Sequence, residues 1–358
     1  MKDLYTVRKT CRLCNSSKID LVLPIGFSPV SDKYSEKKDS KPEDQLVPLD
    51  VYMCENCGHV QILHVINPDY LWDTYHFKTS RNPKLVNHYI KYVNEAILTA
   101  KHITSKFHLD IGSNDGTLIK LFKDRNFKSI GVDCAKNIAE EANLNGLETI
   151  IKYMNKDTAN YILNKHGRVD IITANNVYAH IDDMHSLTES IKLILDKKGL
   201  FIFEVSYLQD VINKRLIGTI FHEHLSYHSV KPLALFFKKN KLEIIKINKN
   251  ELQGGSIVCF VQHINGPYAI DESVKNIIEE ENKENLSSLD TVKKLHKGLL
   301  LYKKQINEIL DNLIKQGKII AGFGSAISAT TFLSYFDIAK KIDFIVDDNK
   351  DKHFKFTP

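Results

Sequence analysis

No stretch of this 358-residue chain approaches the roughly 18 consecutive apolar residues that span a bilayer, and Met1 to Thr10 holds no apolar core of signal-peptide length. We therefore expect a cytoplasmic protein that engages no membrane. Charge of one sign is also scarce: 49 Lys and Arg stand against 44 Asp and Glu, a net +5, with no concentrated basic stripe. A nucleic-acid partner is not expected, because a phosphate backbone demands such a stripe. Cysteine is limited to six residues, four of them in Cys-x-x-Cys pairs, so a disulfide framework is not expected either. What the chain does have is 43% hydrophobic residues and enough length for two or three domains with real cores.

The two pairs, Cys11-Arg-Leu-Cys14 and Cys54-Glu-Asn-Cys57, have equal spacing, and each can hold one edge of a tetrahedral ion. Together they would form a closed four-thiolate zinc site with no position left for substrate, which makes the metal structural. Four buried or disulfide-bonded cysteines are the alternative, and equal spacing would then be a coincidence. The cysteine knuckles lack the basic, aromatic-interleaved face that a nucleic-acid-binding zinc protein requires.

Composition divides the chain into residues 1–66, which hold the zinc cysteines; 67–265, where apolar strand runs alternate with amphipathic helices; and 266–358, a helical linker with a second, partial Rossmann-like domain. Ser31 to Asp44 is charged and reads as a solvated loop. In the middle segment, strand runs at Phe107–Ile111, Ser129–Asp133, Asp170–Ala174 and Leu200–Val205 alternate with helical stretches, which predicts a mostly parallel sheet covered on both faces. Leu242–Asn248 and Gly255–His263 read as an antiparallel pair closing the sheet edge, with Gln253-Gly254-Gly255 at a close approach. Beyond a Lys/Glu-rich helical stretch, Lys318–Gly322, Ser328–Tyr335 and Ile342–Asp347 form a second βαβ pattern. The fold class is α/β, Rossmann-like.

Asp110-Ile-Gly112-Ser-Asn114-Asp-Gly116 follows a strand, where glycines let backbone approach a ligand. Dinucleotide loops read G-x-G-x-x-G, whereas an acid at the head of this loop suits a cationic amino group, as in S-adenosylmethionine. Asp133, one β-α-β unit later, is placed to accept from ribose hydroxyls. Asn175-Asn176-Val-Tyr-Ala-His180 and Phe221-His222-Glu223-His224-Leu-Ser-Tyr227-His228 follow the fourth and fifth strands, where this fold carries its chemistry. A histidine there can take a proton from carbon beside a carbonyl, with a second His or Tyr at the enolate oxygen. Glu223 is a candidate to orient His224. Ligation of a metal by His222, Glu223, His224 and His228 does not match the His-Glu-x-x-His helix. Tyr75 either donates its hydroxyl to the site or packs the interface. On an extended segment His222 and His224 would share one side and Glu223 the other.

The ordered set of Cys-x-x-Cys, Cys-x-x-Cys-Gly, Leu109-Asp-Ile-Gly-Ser-Asn-Asp-Gly-Thr117, Ala174-Asn-Asn-Val-Tyr-Ala-His180, His222-Glu-His-Leu-Ser-Tyr227 and Gly254-Gly-Ser256 resembles the zinc-containing sugar C-methyltransferases of deoxysugar pathways. The resemblance implies S-adenosylmethionine held by Asp110, Gly112, Asn114, Gly116, Asp133, Asn175 and Asn176, and structural zinc on Cys11, Cys14, Cys54 and Cys57. It further implies a nucleotide-linked 4-ketosugar substrate, held partly by the C-terminal segment. His224 would be the base, supported by Glu223, His180 and Tyr75. O-methylation of a sugar hydroxyl is the alternative reaction. The chain departs from the pattern at Phe221, where the family usually has Tyr, and at Ser328, where it has Lys. Asp347-Asp348-Asn349 carries an acid where an arginine is common.

Overall fold

The computed structural model describes residues 4–36, 46–72 and 75–358. At its centre lie β1 (Phe107–Ile111), β2 (Lys128–Asp133), β3 (Thr149–Ile151), β4 (Val169–Asn175), β5 (Leu195–Ser206), β6 (Leu242–Asn250) and β7 (Ser256–His263) in one sheet ordered 3-2-1-4-5-7-6. The pairs from β3 to β5 are parallel, and β7 runs antiparallel to both β5 and β6. Every residue of β1 and β4 is buried, as expected for parallel strands covered on both faces. Along β5 the side chains alternate: Phe201 and Phe203 join a core with Ile191 and Phe237, while Leu200 and Ile202 join one with Val93 and Phe122. Helices on both sides of the sheet supply those partners. The helix Pro83–Thr99 opens with Pro in its first turn and the Asn82 side chain capping Leu85 N–H.

Four antiparallel strands form the N-terminal sheet, and only three of them, Ile19–Leu23, Val51–Cys54 and Val60–Ile62, come from the cysteine-bearing segment. The fourth is Ser226–Tyr227, paired in register with Gln61 and Val60. The loop carrying His224 therefore ends inside the zinc module's sheet. Residues 31–36, expected in a solvated loop, instead pack against the returning C-terminal segment: the Tyr34 hydroxyl donates to the Ser325 carbonyl (2.6 Å), and Ser35 bridges Phe356. The remainder of that expected loop, 37–44, lies outside the described residues.

Two helices, Glu272–Lys283 and Leu289–Lys315, precede a parallel pair, Ala321–Phe323 and Phe344–Val346, joined through helix Ile327–Tyr335. This is the second βαβ unit, its strands shorter than the sequence pattern suggests. Val292, Leu295 and Leu299 of the long helix share a core with Val51, Met53 and Ile62. No helix among the described residues is long and apolar enough to cross a membrane.

Candidate active site

Cys11, Cys14, Cys54 and Cys57 bring their sulfurs within 4.8 Å of one another. The Cys11–Cys57 and Cys14–Cys54 sulfur separations are 3.6 and 3.5 Å. A Zn–S distance of about 2.3 Å sets a tetrahedral edge of about 3.8 Å, so the four thiols fit zinc. Each pair sits in the same tight turn: Asn15 N–H donates to the Cys11 carbonyl and Gly58 N–H to the Cys54 carbonyl. Both closing residues have left-handed φ, 62° at Asn15 and 79° at Gly58. All four ligand positions are cysteines, so the site is closed and structural.

A cleft of about 1620 Å³ lies beyond the C-terminal ends of β1, β2, β4 and β5. Its floor is the loop after β1. Gly112 has φ +68°, and a Cβ there would come within 2.2 Å of Val177 Cγ2. Gly116 also has positive φ, +79°, and starts the helix Thr117–Lys123. Asp110 is buried and accepts from the Thr173 hydroxyl (2.6 Å); burial pushes its carboxyl up to about 7. A cationic group in the cleft would restore its charge. At Asp133, Oδ2 accepts from Asn114 N–H and Oδ1 from Ala135 N–H, both at 2.8 Å. Each carboxylate oxygen retains acceptor capacity for a ligand hydroxyl.

Asn175 has its amide nitrogen and oxygen both buried and without a hydrogen-bond partner among the described residues. Burial without partners costs a polar group dearly, and a ligand in the cleft would satisfy it. Asn176, with φ 55°, donates its N–H to the Glu204 carbonyl. Asn114 differs from its expected use. Its side chain is occupied by residues 77–79: Oδ1 accepts from Thr79 N–H (3.0 Å) and Nδ2 donates to the Phe77 carbonyl (2.9 Å). It ties that segment over the loop, helped by Asp115, which accepts from Ser80 N–H.

On the opposite wall, residues 221–225 form a turn closed by His224 N–H to the Phe221 carbonyl. This is not the extended segment anticipated, so alternation does not decide where the side chains point. His222 lines the cleft as well, but its Nε2 lies 3.1 Å from the Val47 carbonyl of the N-terminal module, and its buried Nδ1 has no partner among the described residues. His224 Nδ1 lies 2.7 Å from the Thr219 carbonyl and must donate its proton there, which leaves Nε2 as the acceptor. Burial lowers its imidazole to about 4. His224 packs against His180 at 5.1 Å and Phe221 at 4.0 Å between ring centroids. His180 in turn stacks on the chain's single tryptophan, Trp72, at 5.6 Å. The buried Nε2 of His180 has no partner among the described residues, and burial lowers its imidazole as well.

Glu223 makes no hydrogen bond to His224: Thr219 does the orienting that the carboxylate was expected to do. Burial pushes the Glu223 carboxyl up to about 8, with Asp32 adding repulsion. Tyr75 lines the same cleft, edge-on to Trp72, and burial followed by the charges of Glu223 and Asp133 raises its phenol far above the usual range. The C-terminal segment contributes Ser328, Asn349, Lys350 and Lys352 to the rim. Lys352 donates to the Ser325 carbonyl (2.6 Å) and lies 4.0 Å from the Asp347 carboxylate.

Sequence reasoning missed Thr219, Trp72 and Lys352. Trp72 carried a signal, as a lone tryptophan in the segment leading to Tyr75. A backbone carbonyl such as that of Thr219 leaves none.

A seven-stranded sheet of this order, a glycine-bearing loop after its first strand, an acid at the end of the second and an orphaned asparagine at the end of the fourth define an S-adenosylmethionine-dependent methyltransferase. Three family models divide the chain almost completely: a zinc binding domain over 11–72, a methyltransferase domain over 86–247 and a C-methyltransferase C-terminal domain over 251–358. The three matches follow one another in the order zinc-binding, methyltransferase and C-methyltransferase C-terminal domain. The chain is 27% identical to C-methyltransferase NovU from Streptomyces niveus, over 100% of this chain and 86% of that protein. Among solved structures, an S-adenosylmethionine-dependent methyltransferase from Clostridium acetobutylicum shares 15% identity, covering 50% of this chain and 92% of that one with a TM-score of 0.40. The PH0226 protein from Pyrococcus horikoshii shares 13%, covering 54% and 98%, with a TM-score of 0.41.

Proposed function

We propose that this C-methyltransferase acts on a nucleotide-linked ketosugar, with His224 as the base that removes the proton α to the ketone. The observation that carries this reading is the Nδ1 bond of His224 to the Thr219 carbonyl (2.7 Å), which commits Nε2 to accepting a proton beside the cleft. A neutral imidazole is a base at once available, and enolate charge developing nearby favours the imidazolium that forms. His180 and Tyr75 are the candidate partners of the enolate oxygen. Glu223, kept protonated by burial, donates a hydrogen bond to the sugar instead of orienting the base. Asp110, Asp133 and Asn175 hold the cofactor, with Gly112 and Gly116 shaping the loop and Asn114 and Asn176 fixing its surroundings. Bound S-adenosylmethionine supplies an electrophilic methyl group to the nucleophilic carbon. One feature supports a nucleotide-linked substrate: the cleft extends well past the cofactor loop to the C-terminal segment.

A mass-spectrometric screen of nucleotide-ketosugars for a gain of one methyl group tests the substrate class. Incubating the accepted ketosugar in deuterium oxide then tests the base: carbon-bound deuterium is expected with the wild-type enzyme and not with His224→Asn. Methylated product without carbon exchange would favour O-methylation of a sugar hydroxyl.

A further inference from the structure

Arg12 stands between two zinc ligands, Cys11 and Cys14, and is fully buried. Its Nη1 donates to the Leu225 carbonyl (3.2 Å), the Gln61 side-chain oxygen (3.1 Å) and the Ile62 carbonyl. Its Nη2 is ion-paired with Asp182 Oδ1 at 3.0 Å, and Arg8 pairs with the same oxygen at 3.2 Å. The two ends of this fork matter because of what they adjoin. Leu225 directly follows His224, and Asp182 lies two residues beyond His180. The Leu225 carbonyl also accepts from Ile62 N–H (3.1 Å), at the start of the strand pairing that brings Ser226–Tyr227 into the zinc module's sheet.

We propose that Arg12 is a positioning residue that holds the turn carrying His224 against the 180–182 loop, so that His224 keeps its Nδ1 bond to the Thr219 carbonyl, and that the structural zinc acts on the reaction through it. The guanidinium is planar and rigid, so its contacts on two loops fix those loops relative to each other in a way that separate contacts would not. The metal fixes the backbone from which the fork projects. A buried arginine is otherwise a poor device for stability, since apolar replacements of buried ion pairs often fold as well or better. Placement within about 1 Å, by contrast, governs catalytic rates on the order of 10²-fold. The inference rests on the reading of His224 as the base, yet its own readout, the state of the His224 ring, does not depend on turnover.

The test uses the full zinc-loaded chain with S-adenosylhomocysteine bound and histidine labelled with ¹⁵N. In the wild type the His224 signals, assigned by their loss in His224→Asn, are expected to show a single Nδ1–H tautomer. In Arg12→Met and in Asp182→Asn that signature is lost to tautomer averaging, while zinc content and S-adenosylhomocysteine affinity stay at wild-type values. Arg12→Lys, which keeps the charge but not the fork, recovers it only in part. Asp182 is partly exposed, so Asp182→Asn decides the matter if Arg12→Met does not fold. A zinc-loaded, ligand-binding Asp182→Asn protein with the wild-type His224 signature overturns the proposal. Should His224→Asn retain full turnover, the base assignment fails, and the tautomer measurement still reports whether Arg12 fixes that ring.

Discussion

His224 and His222 are two residues apart, both line the cleft, and they bond to different parts of the chain through different ring nitrogens. The first holds its Nδ1 proton against the Thr219 carbonyl at the cleft, and the second bonds the Val47 carbonyl inside the N-terminal module. His224→Asn should therefore lower turnover by roughly 10² to 10⁴-fold, the usual weight of a general base, with cofactor affinity unchanged in calorimetry. His222→Asn should lower the melting temperature and leave the turnover of the folded fraction near wild type; the reverse pattern would transfer the base to His222. Glu223 supplies a pH signature. Its carboxyl titrates near 8 in the folded protein against 4.5 in a free glutamate. Because the folded value is raised, its favourable contribution is complete below about 4.5 and disappears as pH rises through about 8. Glu223→Gln should thus melt at a higher temperature than wild type at pH 9, and the two should converge at pH 5. The kcat/KM profile should fall above about pH 8 in the wild type, through ionisation of this acid, and lose that limb in Glu223→Gln.

At the scale of elements, the loop after β1 depends on backbone that only glycine supplies. Gly112→Ala would place a Cβ 2.2 Å from Val177 Cγ2 at a φ of +68°, so cofactor binding should be lost in calorimetry while zinc content is kept. Asp133→Ala is gentler. Removing one charged acceptor should weaken S-adenosylmethionine binding by roughly 1.5 to 3 kcal/mol, and unchanged affinity would exclude a ribose contact. These elements were legible in advance because β1 and β4 are wholly buried runs that stop at Gly112 and Asn175, and β2 is a short apolar run that ends at Asp133. The three-residue strand Thr149–Ile151 was not legible, being too short to show a period. The turn at 221–225 was misread as extended for a related reason: His, Glu and His carry little preference of their own, and the turn is held by bonds to the Phe221 and Thr219 carbonyls and by the distant Val47 carbonyl. Much of the site could be named from residue types and spacing, but not the roles of Asn114 and Glu223. Those depend on residues 77–80 and on a carbonyl at 219, contacts that no local pattern encodes.

For the whole molecule, zinc is the anchor of the N-terminal module. Protein purified without chelator should contain close to one zinc per chain by elemental analysis, and its removal should unfold that module, since a closed thiolate site couples metal affinity to folding. Cys54→Ser should reduce solubility more than cofactor affinity. An absence of zinc from natively purified protein would end this account.

The pairing of Ser226–Tyr227 with Val60–Ile62 bears on how such enzymes can be recombined. A cut near residue 66 looks natural on the linear chain, yet it separates three strands from the fourth that completes their sheet. Exchanging only the cysteine-bearing segment between relatives would graft a foreign edge onto the loop that presents His224. A chimaera that carries the 219–228 loop along with its cognate N-terminal segment should keep activity that the simple exchange loses, so the inheritable unit is discontinuous in sequence.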